Sequence, residues 1–167
     1  MESFFKELRE EEGLPQITGE FIDASVSKIH HSIYSSRYDH KQLNDIIERR
    51  MIYQLEPFMV MQMQMRIKPK TSLLRKLWKK VLLNHAHDSA CGCNSDATND
   101  AILQRLQDCE QMSSMLLDYQ VRKLSESLSG IRENDIVFYN TLPYTRTQTL
   151  HTTVQTGKPD FRILLDG

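Results

Sequence analysis

The sequence predicts a mainly α fold: a three-helix bundle followed by a few terminal β-strands that open a β-sandwich domain. Three observations carry this. Apolar residues recur every three or four positions through three long stretches between residues 39 and 128. The connector at residues 67–69 and the small, polar segment around Gly92 separate these stretches. After Gly130 the pattern changes to short alternating runs on either side of Pro143.

Residues 1–12 have Phe4, Phe5 and Leu8 on one helical face, and Gly13 and Pro15 end that helix. Residues 16–38 lack a clean period and read as irregular or mixed structure. The first long helix is expected over about residues 39–65, with Leu43, Ile47, Met51, Leu55 and Phe58 inward. Pro57 should kink or divide it, because proline has no N–H and its ring crowds the carbonyl four residues back. The Met59, Met61, Met63 and Met65 alternation is read as flexible core filling at the helix end. The second helix starts at Thr71 or Ser72, both capping residues, buries Leu73, Leu74, Leu77, Trp78, Val81 and Leu82, and stops near Asn84. Its basic residues Arg75, Lys76, Lys79 and Lys80 belong on the wet face. Residues 84–95 are expected as a structured loop. Ser95 or Asp96 can cap the last helix, which runs about eight turns on Ile102, Leu106, Cys109, Met112, Leu116, Leu124 and Leu128 and stops near Gly130. Strands are expected at residues 136–139, 146–156 and 161–165.

The 167 residues carry a net charge of −1, which gives no electrostatic case for nucleic acid or an anionic membrane. No apolar run approaches the roughly 20 residues that span a bilayer. The charged, helix-patterned first residues are unlike a signal peptide. Cys91, Cys93 and Cys109 are odd in number and do not suggest a disulfide framework, so a cytoplasmic setting is expected. Three terminal strands cannot close a sandwich. The chain is therefore expected to be an internal piece of a larger protein.

Chemistry concentrates in residues 84–96, where His85, His87 and Asp88 sit beside Cys91 and Cys93. Imidazole and carboxylate are the usual ligands of a borderline or hard divalent cation. The spacing matches neither the common zinc motifs nor H-E-x-x-H, so a polar helix-end loop with capping histidines is the competing reading. Residues 28–37, with His30, His31, Tyr34 and Arg37, offer groups that could line a sugar site or form an ordinary loop.

Four segments in order then resemble glycoside hydrolase family 38, the α-mannosidases. They are Gly19-Glu20-Phe21, the His30-to-Arg37 segment before a helix reaching Leu55-Glu56-Pro57, the Leu77-Trp78 helix with His87-Asp88, and Val137-Phe138-Tyr139-Asn140. Within that family, residues 84–89 with the cysteines after them, and Gly-Glu-Phe-Ile-Asp before, look most like the bacterial mannosylglycerate hydrolases. The resemblance implies that residues 1–38 end a catalytic barrel. Residues 39–130 would form the three-helix middle domain, and residues 131–167 the first strands of a C-terminal β-sandwich. It implies a retaining, metal-dependent mannosidase in which His87 is a metal ligand and Asp88 and His30 contact the sugar. The cofactor implied is a divalent metal, zinc in most members. The partners implied are a mannoside, such as (phospho)mannosylglycerate, and the rest of the parent chain. No nucleic acid or membrane is expected, and a homo-oligomer is compatible with the sequence. The family's H-x-D metal motif, its nucleophile and its acid/base find no counterpart here, so no catalytic residue is assigned and the chain alone is expected to be inactive. Ser32 also stands where the family usually has glycine. The rival expectation is a non-catalytic helical scaffold or regulatory bundle with a structural His/Cys loop.

Overall fold

A computed structural model describes residues 1–16, 18, 19, 25, 28–132 and 135–153. The described residues are mainly helical. Helix α1 (Glu2–Glu10) is followed by a 3-10 turn (His31–Tyr34) and α2 (Tyr38–Arg50). A π-helical turn (Met51–Leu55) joins α2 to α3 (Glu56–Gln64) without a break, and α4 (Thr71–Leu83), a short α5 (His87–Cys91) and α6 (Asp96–Ser127) complete the order. No helix among the described residues is long and apolar enough to cross a membrane.

The long rod α2–α3 accommodates Pro57 through its π turn. In a regular α-helix the proline ring would press on the carbonyl of Tyr53. The widened turn lies just before it, and the Glu56 N–H bonds back to the Met51 carbonyl, five residues away. The rod buries Ile47, Met51, Leu55, Phe58 and Met59. Met63 and Met65 are exposed, so the methionine alternation fills the core only at its first member. Successive residues on alternate sides of a helix cannot share one buried face.

Helix α4 buries Leu77 and Val81, with Leu74 and Trp78 partly covered. Leu73 and Leu82 are exposed, contrary to the sequence expectation. The expected face was wider than the stripe that a single neighbouring groove covers. The N-cap is Lys70, and no side-chain cap bond forms. Thr71 and Ser72 therefore lie inside the first turn. The Trp78 indole N–H donates to Glu56 Oε1 at 2.8 Å, tying α4 to α3.

Helix α6 is the spine. It buries Asn99, Ile102, Leu106, Cys109, Ser113, Leu116, Gln120 and Leu124. That alternation of three- and four-residue steps is the seam of coiled-coil-like packing. Ser95 caps the helix, its hydroxyl accepting from the Thr98 N–H. The helix ends at Ser127, with Leu128 extended as C-cap, and Gly130 lies beyond it in a turn at φ +85°. Two seam positions receive polar groups from the α2–α3 rod, one at a side chain and one at the backbone. Arg50 Nη1 donates to Ser113 Oγ at 2.8 Å and to Glu110 Oε1 at 2.9 Å. Gln62 Nε2 donates to the Gln120 carbonyl at 3.1 Å.

Residues 135–153 carry no strand among the described residues. A strand exists only against a partner, and within residues 136–139 it is Tyr139 that meets the bundle by its side chain. The Tyr139 hydroxyl bonds Ser125 Oγ at 2.8 Å, and its ring meets Phe58 edge to face at 5.2 Å. The turn expected at residues 140–144 is present. Asn140 Oδ1 accepts from the Leu142 N–H, and Asn140 Nδ2 donates to the Tyr144 carbonyl. The second expected strand is described only to residue 153 and the third, residues 161–165, lies outside the described residues, as do Glu20 and Phe21 of the family-like segment.

Candidate functional site

The 84–96 segment is more ordered than a loop. Ala86 is extended at the N-cap of α5, and Gly92 closes that helix in the left-handed conformation at φ +77°. The Asp88 carbonyl gathers the N–H groups of Gly92 and Cys93 and the Asn94 amide. Ser95 then starts α6. Sequence reasoning missed α5 because five residues are too few to show a helical period.

This turn docks on the entry to α2. Ser36 Oγ donates to the Gly92 carbonyl at 3.4 Å. Lys41 Nζ donates to the Ser36 carbonyl and also reaches the Cys91 carbonyl at 3.4 Å. Arg37, itself left-handed at φ 50°, places Nη2 at 2.5 Å from Asp96 Oδ1. The two chemistry-bearing segments of the sequence are thus brought to one end of the bundle. Arg105 anchors the same end through the side chain of buried Asn84.

The two imidazoles of the H-x-H pair do different jobs. His85 Nε2 lies 2.7 Å from Glu48 Oε1 and 3.3 Å from Asn44 Oδ1, fixing the turn to α2. His87 is 91 % exposed, with Nε2 at 3.3 Å from Asp88 Oδ1. The same Asp88 oxygen accepts from the Cys93 thiol at 3.5 Å. Burial and then the Asp88 bond push the Cys93 thiol above its ordinary range. All three cysteines are free thiols. His30 is the N-cap of the 3-10 turn, and its carbonyl accepts from the Ile33 N–H at 3.2 Å. Its side chain is exposed. Among the described residues no hydrogen bond links it to His87 or Asp88.

As possible donors to a divalent cation, the His87 imidazole and the Asp88 carboxylate are two adjacent exposed groups. An exposed imidazole beside a carboxylate suits a borderline or hard ion. No group of three or more His, Cys, Asp or Glu side chains able to hold a metal exists among the described residues.

A helical bundle with a His-Asp turn at its end is the class of structure defined so far. Residues 28–124 match the family model described as the α-mannosidase middle domain. The match spans more than half of the 167 residues. The chain belongs to this family, the middle domain of glycoside hydrolase family 38. Searches of curated proteins and of solved structures found no match.

Proposed function

We propose that the chain serves as the middle domain of a retaining, metal-dependent α-mannosidase, and that its His87-Asp88 turn completes the sugar site of a neighbouring catalytic barrel. In this reading residues 1–38 end the barrel, residues 39–130 are the middle domain and residues 131–167 lead into a β-sandwich. The observation that carries it is the family match, whose span includes His87 and Asp88. The geometry supports it. His85 is tied into the bundle, while the His87 imidazole faces solvent, available to a group supplied from outside.

His87 would hold a divalent ion, zinc by the family resemblance, through an imidazole nitrogen. When bound, such an ion orients sugar hydroxyls and stabilises developing charge. Asp88 would accept a hydrogen bond from a mannose hydroxyl, a contact that strengthens as the ring flattens toward an oxocarbenium-like transition state. His30, exposed on the segment leading into Ser36, would line the sugar. The two carboxyls that a retaining glycosidase needs would lie on the barrel. A mannoside is the substrate class, and the string at residues 84–89 favours mannosylglycerate or its phosphorylated form. A cytoplasmic setting fits the three free thiols.

The test has two arms. The chain alone, given an activated aryl α-mannoside, should show no turnover and bind zinc weakly. In the enzyme that contains the chain, Asp88→Asn should keep its metal and lose about 10–100-fold in kcat. Turnover by the purified chain would overturn the division of labour. Full activity in Asp88→Asn would return the turn to a structural role.

A further inference from the structure

Helix α5 cannot hold its own shape. It is five residues long and buries none of them fully, and a helix that short is far from stable by itself. Its place is set by polar contacts, and several of these reach one stripe of α2. Lys41, Asn44 and Glu48 are spaced three and four residues apart and so share one helical face. Glu48 Oε1 and Asn44 Oδ1 meet His85 Nε2, ahead of α5, at 2.7 and 3.3 Å. Lys41 Nζ meets the Cys91 carbonyl, at the end of α5, at 3.4 Å. As the chain passes from His85 to Cys91, its anchors step back along α2 from Glu48 to Lys41. His87 and Asp88 lie between the two.

Lys41 is the member of this stripe that reaches two segments at once. The Cys91 carbonyl is one of the C-terminal carbonyls that no N–H within α5 can satisfy. The same Nζ donates to the Ser36 carbonyl, in the segment that carries His30 and leads into α2. The half-buried ammonium forms no ion pair among the described residues. Its charge is spent on these two carbonyls, and a charged donor makes the stronger kind of hydrogen bond. Arg37 and Asp96 join the same two segments, but Asp96 is 90 % exposed, and an ion pair open to water contributes little.

We infer that Lys41 is a positioning residue for the candidate sugar site: its ammonium fixes the spacing between the His30 segment and the His87-Asp88 turn. The inference rests on the glycosidase reading for what that spacing serves, and on the contacts of Lys41 for the spacing itself. Without the ammonium the Ser36 and Cys91 carbonyls lose their common donor and α5 loosens at its C-terminal end. Asp88 is then presented over a range of positions, and small misplacements of a group that orients substrate cost rate. The core around Ile47, Leu77 and Leu106 takes no part in this.

The test compares Lys41→Met and Lys41→Arg in the enzyme that contains the chain, with Asp88→Asn beside them. Methionine keeps an apolar stem and removes the charge and its donors, while arginine keeps a charged donor. In Lys41→Met, amide hydrogen exchange should rise about tenfold or more at Gly92 and Cys93, whose N–H groups bond the Asp88 carbonyl, and stay unchanged in the middle of α6. The value of kcat should fall about tenfold, and Lys41→Arg should recover most of both losses. Added to Asp88→Asn, Lys41→Met should cost little more, because both act through one carboxylate. Unchanged exchange at Gly92 and Cys93, or protection lost equally along α6, would overturn the inference. So would a kcat untouched in Lys41→Met while Asp88→Asn is slow, or two losses that simply multiply. Full activity in Asp88→Asn would overturn the glycosidase reading itself, and the positioning role with it.

Discussion

Arg37 and Gly92 meet where the His-Asp turn presses on the start of α2. A Cβ built on Gly92 would lie 2.7 Å from Arg37 Cγ and 3.0 Å from Arg37 Cβ. The left-handed φ of +77° adds its own cost for any side chain. Gly92→Ala should therefore destabilise by about 1–2 kcal/mol from backbone handedness alone, with the clash on top. Urea unfolding would measure the loss, and an unchanged midpoint would show that the turn is not pinned there. At this scale the sequence was legible in kind but not in function. Gly92 stood out within a small, polar segment and His85 and His87 as a pair. The sequence did not separate the histidine that holds the turn from the one that faces solvent. That distinction depends on Glu48 and Asn44, roughly forty residues away in the chain, and no local pattern carries it.

The three long helices were visible from their periods because their faces bury mainly apolar side chains. Polar seam members were not, since Ser113, Gln120 and Asn99 look like surface residues until their neighbours are known. Arg50 answers Ser113 from the facing rod, and Gln62 reaches only the backbone carbonyl of Gln120. The widths of the α4 face and the position of its cap were misjudged for a related reason. Periodicity gives the direction of a face, and only the neighbouring helix decides how much of it is covered. Leu106, 1 % exposed in the middle of α6, should be the sensitive point of the bundle. Leu106→Ala is expected to cost about 2–5 kcal/mol through lost burial and the cavity left behind. Leu82→Ala, at an exposed position of α4, should cost far less. Equal losses at the two positions, measured by thermal or urea unfolding, would contradict the packing described here.

For the whole molecule, the bundle is built so that its stability and its candidate chemistry sit apart. The core runs along α2–α3, α4 and α6, from Ile47 to Leu116. The His87-Asp88 turn lies at one end, held by polar contacts to Ser36, Arg37 and Lys41. The strands expected after Gly130 were legible as alternation, yet alternation alone makes no sheet without a partner, and residues 136–139 lie against the bundle through Tyr139. The central claim is that this bundle lends one ligand to a metal held jointly with a catalytic barrel. Metal content of the enzyme containing this chain, wild type against His87→Ala, tests it most directly. Loss of the ion together with activity, with the helical circular dichroism unchanged, is the predicted result. His87→Ala that retained full metal and near-normal turnover would contradict it.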